Sequence, residues 1–111
     1  MGLITPVGSN PTLSANLNLR IMTQEEIKEF IEEFGYESVT LFENPSYDTA
    51  CIGISEDERA VYDYDLMVKH LVEKDGMTEE EAEEFIEYNT IRAIPYFPNP
   101  PIVVRPFPKM E

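Results

Sequence analysis

The chain has 111 residues, with 22 acidic against 8 basic side chains and a formal net charge of -14. That length supports one small core rather than two, and the charge repels polyanions, so direct binding to nucleic acid is excluded as an expectation. A single cysteine and a single histidine rule out an internal disulfide and a Cys/His zinc set, and no stretch approaches the roughly 20 apolar residues that cross a bilayer. The composition fits a reducing cytoplasm.

Residues 1–21 carry Gly, Pro, Ser and Asn without a periodic face, and are expected to be a disordered leader. With one choice of codons, Val7 to Thr12 reads back as GTG GGT TCG AAT CCC ACC. That string pairs GTGGG with CCCAC around TTCGAAT, the form of a transfer-RNA T arm. Leu13 to Ala15 follows as CTC TCC GCC, in the manner of an acceptor strand. On this reading translation starts at Met22, residues 22–111 form one domain, and the gene abuts a transfer-RNA gene, a habitual landing site of integrating elements.

From Thr23 the pattern changes. Thr23 and Glu26 have capping-box spacing, Ile27, Phe30, Ile31 and Phe34 share a helical face, and Gly35 stands where a C-terminal glycine cap belongs. Ser38 to Phe42 is a short β-prone run. Ala50 to Ile54 and Arg59 to Tyr62 make two more strands, paired as a hairpin around Ser55-Glu56-Asp57-Glu58, with Gly53 marking a bulge or a close approach. Asp63 caps a helix from about Tyr64 to Lys74, with Tyr64, Met67, Val68, Leu71 and Val72 turned inward. After Asp75-Gly76, the Thr78/Glu81 pair opens another helix, with Ala82, Phe85, Ile86, Asn89 and Ala93 on one side. The two form an αα-hairpin. Pro95, Pro98, Pro100 and Pro101 forbid further helix, and Ile102 to Arg105 reads as an edge strand. The expected fold is α+β: a small antiparallel sheet of three to four strands, an N-terminal helix, and the αα-hairpin packed on one face.

The glutamates of the last helix stand out. Glu79, Glu80 and Glu81 occupy its first turn, where the helix dipole favours negative charge. Glu83, Glu84 and Glu87 lie beyond it, and the like-charged pairs they make at i, i+4 each cost about 0.2–0.5 kcal/mol. A solvated face is the plain reading. The sharper one is a partner-binding face of Glu80, Glu83, Glu84 and Glu87, in which Glu80, Glu84 and Glu87 recur every ~5–6 Å and imitate a phosphate backbone. Asp63 and Asp65 flank Tyr64 at the strand-to-helix junction and join the same set of partner-binding residues. Read as oxygen ligands they would start a divalent-cation site, but N-capping explains Asp63, and the alternating Asp/Asn loop of calcium sites is absent.

Asn89 reads as a core asparagine needing hydrogen-bond partners, His70 as an exposed flank residue without a catalytic companion, and Cys51 as a small core side chain. Pro95 to Pro101 contains PxxP spacing and reads as a stiff return path to the sheet rather than a peptide ligand. No phosphate loop, nucleophile elbow or His-Glu-x-x-His motif occurs.

The stretch Ala60-Val61-Tyr62-Asp63-Tyr64-Asp65, then Asp75-Gly76-Met77-Thr78-Glu79-Glu80-Glu81-Ala82, then Tyr88-Asn89-Thr90-Ile91-Arg92-Ala93 resembles small acidic phage- and prophage-encoded proteins of unassigned activity. Those share a Tyr-Asp-x-Asp, Asp-Gly-Met, Glu-Glu-Ala and Asn pattern. Many carry a glycine-rich link after the Asn, where this chain has Ile94-Pro95-Tyr96-Phe97-Pro98. The resemblance implies provenance in a phage or integrated element, and no activity is transferred with it. Together these readings predict a non-enzymatic accessory protein without a cofactor, acting on a host or phage protein with a basic surface. An inhibitor of a host nucleic-acid-handling system, of anti-CRISPR or anti-restriction type, is one form. The alternatives are a small metal-dependent enzyme built on Asp63, Asp65 and His70, and a structural or regulatory homodimer.

Overall fold

The computed structural model describes residues Met22–Pro108; the reading of residues 1–21 as a leader lies outside them. The architecture is α+β, with three α-helices and a three-stranded mixed sheet. Helix α1 spans Gln24–Phe34, a 3-10 turn covers Asp48–Ala50, strands β1 and β2 span Cys51–Ile54 and Ala60–Asp63, α2 spans Tyr64–Asp75 and α3 Glu79–Phe85. A π-turn (Ile86–Thr90) and a 3-10 segment (Ile91–Tyr96) lead to β3, Ile102–Val104. Among the described residues no helix is long and apolar enough to cross a membrane.

Local chemistry places the helix ends. Both capping boxes form: the Thr23 hydroxyl accepts from Glu26 N–H while Glu26 accepts from Thr23 N–H, and Thr78 and Glu81 do the same. Gly35 and Gly76 close α1 and α2 at φ values of 80° and 70°, left-handed conformations open to glycine without a Cβ penalty. Asp63 caps α2 by accepting from Leu66 N–H at 3.0 Å.

The sheet order is β1-β2-β3. β1 and β2 form the expected antiparallel hairpin, closed by the Glu58 N–H to Ser55 carbonyl bond at 2.9 Å with Glu58 in the left-handed region. The register jumps between Cys51 and Gly53, so Ile52 is the extra residue of a bulge. β3 pairs parallel to β2, which corrects the expectation of an antiparallel sheet. The reason lies in the connection: between β2 and β3 the chain crosses over through α2 and α3, and a crossover returns a strand in the same direction. β3 sits at an edge, as its flanking prolines predict.

Ser38 to Phe42 is not a strand. Its polar groups find partners elsewhere: Phe42 N–H donates to the Tyr62 hydroxyl at 3.2 Å, the Phe42 carbonyl accepts from Gln24 Nε2 at 2.9 Å, and Thr40 donates to the Pro98 carbonyl. With those bonds made, a ladder is not needed to satisfy the segment.

The core lies between the Ala60/Tyr62 face of β2, the inner faces of α2 and α3, and the loop carrying Phe42 and Tyr47. Met67, Leu71, Ala82, Ile86, Tyr47 and Tyr62 are sealed from solvent. Tyr47 adopts a left-handed backbone at φ 50°, held by its buried ring and by a 2.7 Å bond between its hydroxyl and Thr90 Oγ1. α1 is less embedded, since of its apolar stripe Ile27 alone is buried.

Tyr62→Phe removes the acceptor of a buried Phe42 N–H and leaves it unsatisfied. We expect a loss of about 1–3 kcal/mol in a denaturant melt, while Tyr88→Phe, which alters a largely exposed ring, stays within about 0.5 kcal/mol of the parent.

Candidate functional site

Glu80, Glu83, Glu84 and Glu87 project from one side of the α3/π-turn rod, opposite Ala82 and Ile86, whose burial turns the other side inward. All four are exposed and line an open depression of about 670 Å³, floored by Tyr64, Tyr88 and Ile91. Glu81 shares its rim but spends its carboxylate on the cap.

The row is not uniform. Arg105 Nη2 reaches Glu87 Oε2 at 2.7 Å, and the same guanidinium lies 3.9 Å over the Tyr64 ring. Arg92 stacks on Tyr88 at 4.9 Å, bringing a second cation to that end of the depression. Glu87 is thus neutralised from within the chain, and the phosphate-like spacing of Glu80, Glu84 and Glu87 loses its last member as an open charge. Among the described residues no basic group lies within ion-pair distance of Glu80, Glu83 or Glu84. The open negative charge of this row is concentrated at the first two turns of α3.

Asp63 and Asp65 stand apart from this depression. Asp63 is the α2 cap and Asp65 is exposed in the first turn of α2. Among the described residues no group of three or more His, Cys, Asp or Glu side chains is arranged to hold a metal ion.

Two expectations about single residues are corrected. His70 is buried, with 8% of its surface exposed, rather than projecting into water. Its Nδ1 lies 2.7 Å from Thr49 Oγ1 and 3.8 Å from Asp48 Oδ1, and its ring faces Tyr47. The 3-10 turn at Asp48–Ala50 packs against α2 and covers that flank. Asn89 is exposed, and Thr90 is buried in its place. The cause is the π-turn: Ile91 N–H bonds the Ile86 carbonyl five residues back. The wider turn advances each residue less around the axis, so Asn89 rotates off the buried stripe of Ala82 and Ile86 and Thr90 takes its place. The last helix is also shorter than its periodicity predicts, breaking into 3-10 geometry at Ile91 ahead of Pro95.

Asp48, Thr49 and His70 form a polar cluster that sequence reading missed, because its members come from separate elements. Asp48 and Thr49 both meet the same ring nitrogen, so the nucleophile–base–orienter relay of hydrolases, which uses the two nitrogens separately, does not exist here. Asp48 Oδ2 accepts from Gln24 N–H at 3.0 Å, so the cluster also fastens the start of α1. Cys51 is half-buried, and burial pushes its thiol pKa up, away from a nucleophilic thiolate.

No known protein family, no curated protein and no solved structure matches this chain.

Burial lowers the His70 pKa below its ordinary 6.5, against the raising pull of Asp48. A histidine that folds with a lowered pKa binds fewer protons folded than unfolded, so stability is fully present above 6.5 and declines as pH falls toward the folded value. Thermal melts of the parent and His70→Gln between about pH 7.5 and 5 should therefore show the steeper acid-side decline in the parent. Separately, Arg105→Ala removes an exposed ion pair and a cation–π contact. A loss of about 0.5–1 kcal/mol is expected in a denaturant melt.

Proposed function

We propose that the protein is a non-enzymatic binding protein whose α3 face, through Glu80, Glu83 and Glu84, engages a basic surface on another protein. The observation that carries this reading is the absence, among the described residues, of any intramolecular counter-ion for these three carboxylates, while neighbouring Glu87 has one. Helix α3 packs against α2, so the row is presented on a braced element. Like charges at i, i+4 work against the helix by a few tenths of a kcal/mol, about 0.2–0.5 each. A partner bearing Lys or Arg relieves that repulsion on binding.

Within this reading the protein is an accessory factor of a phage or integrated element, and its target a nucleic-acid-handling host protein whose phosphate-binding surface the glutamates occupy. The resemblance to phage and prophage proteins and the transfer-RNA-like stretch at Val7 to Ala15 support the provenance. The net charge of -14 supports a cationic rather than a nucleic-acid partner.

Capture of proteins from host lysate on the immobilised full chain, at about 0.05 M and about 0.5 M salt, tests this. The expected result is a specific protein retained at low salt, released at high salt, and lost with the Glu80→Lys, Glu84→Lys double variant. Retention that ignores both salt and the double variant would overturn it.

A further inference from the structure

We infer that the exposed aromatic flank of α1 is a second docking surface, built to take a basic amphipathic helix of a partner protein through Phe30 and Phe34. It is independent of the α3 glutamates.

The face is an assembled aromatic patch. The Phe30 and Phe34 rings lie 4.6 Å apart between centroids, and Tyr36 stacks on Phe30 at 6.1 Å. Part of this has a local cause: the left-handed Gly35 folds the chain back so that Tyr36 N–H bonds the Ile31 carbonyl, and such glycine-terminated helices bring the following residue onto the last turn. That contact accounts for Phe30 and Tyr36. It leaves Phe34 unexplained, a large apolar ring with 60% of its surface in water beside a Phe30 that is 38% exposed. A pair of exposed rings at i, i+4 has the repeat with which one helix receives the apolar row of another.

The mounting of α1 leaves this face clear. The helix is fastened at its N-terminal end, by burial of Ile27, by Gln24 N–H on Asp48 and by Gln24 Nε2 on the Phe42 carbonyl. In its C-terminal half Ile31 is half-buried, and Phe34 stands exposed.

Charge selects the occupant. At 100° per residue, Glu29 and Glu33 fall in the row beside Phe30 and Phe34, and both are exposed; Glu26 lies in the same row but spends its carboxylate on the cap. Lys28, the helix's single base, lies on the other flank and is tied to Glu43 at 3.4 Å. An apolar row with an acidic rail favours a partner with apolar residues at i, i+4 and Lys or Arg beside them. A second copy would lay rail against rail in a chain of charge -14, and an anionic lipid surface would be repelled in the same way.

The experiment measures anisotropy of a labelled synthetic helical peptide, with Leu at i, i+4 and flanking Lys, titrated with the full chain. A scrambled peptide of equal composition and no apolar face is the control. Expected is preferential binding of the patterned peptide, weakened about tenfold or more by Phe34→Ser and by Glu29→Lys with Glu33→Lys. Binding should persist in the Glu80→Lys, Glu84→Lys variant, which separates this face from the α3 reading. Equal binding of the scrambled peptide, indifference to Phe34→Ser, or loss in the α3 variant would each overturn the inference. So would self-association of the parent that Phe34→Ser abolishes, which would assign the face to a second copy. A large fall in melting temperature on Phe34→Ser would place that ring in the core and overturn it as well.

Discussion

Tyr62 is the junction on which the fold depends. It sits on the middle strand with no exposed surface, and its ring meets Phe42 at 4.7 Å while its hydroxyl accepts the Phe42 N–H at 3.2 Å. Burial drives its phenol pKa far above the ordinary value, so the hydroxyl remains neutral and available as an acceptor. Through that one side chain the irregular segment before the hairpin is pinned to the sheet. Phe42 in turn offers its carbonyl to Gln24, and Gln24 N–H reaches Asp48. A chain of polar contacts thus runs from the core to the base of α1 without a continuous ladder.

This arrangement explains why some elements were legible in the sequence and others were not. Capping chemistry is local: Thr23/Glu26, Thr78/Glu81, Asp63, Gly35 and Gly76 each act within a few residues, and their spacing alone places the helix ends. The hairpin is legible for the same reason, its turn and bulge lying within its own residues. Ser38 to Phe42 has β propensity, but the backbone bonds of Phe42 go to side chains distant in sequence, those of Tyr62 and Gln24. His70 follows the same logic, because what covers it is the Asp48–Ala50 turn, and no periodicity within α2 reveals that cover.

The π-turn is the instructive failure of periodicity. Counting at 3.6 residues per turn puts Asn89 at the centre of the stripe of Ala82, Phe85, Ile86 and Ala93, and a buried asparagine then demands partners. Widening the turn puts Thr90 there instead, whose small hydroxyl is met by Tyr47 at 2.7 Å, and sends the amide into water. One polar group with one matched partner replaces a group with several unmet needs. Tyr88, two residues past Ile86, faces away from the core and lies at the surface, with 59% exposed beside the acidic depression.

The glutamates were legible as a run but not as a site, since a run does not show which members find partners. Arg105, remote in sequence, arrives with β3 because that strand pairs parallel to β2, which positions the guanidinium over Tyr64 and against Glu87. The crossover topology therefore decides the electrostatics of the surface: it closes the row at one end and leaves Glu80, Glu83 and Glu84 unopposed among the described residues. Had β3 run antiparallel, residues beyond Val104 would have left the sheet at its opposite end, away from the start of α2. The acidic face would then have kept Glu87. Which end of this glutamate row keeps its charge open is, in that sense, a consequence of strand direction.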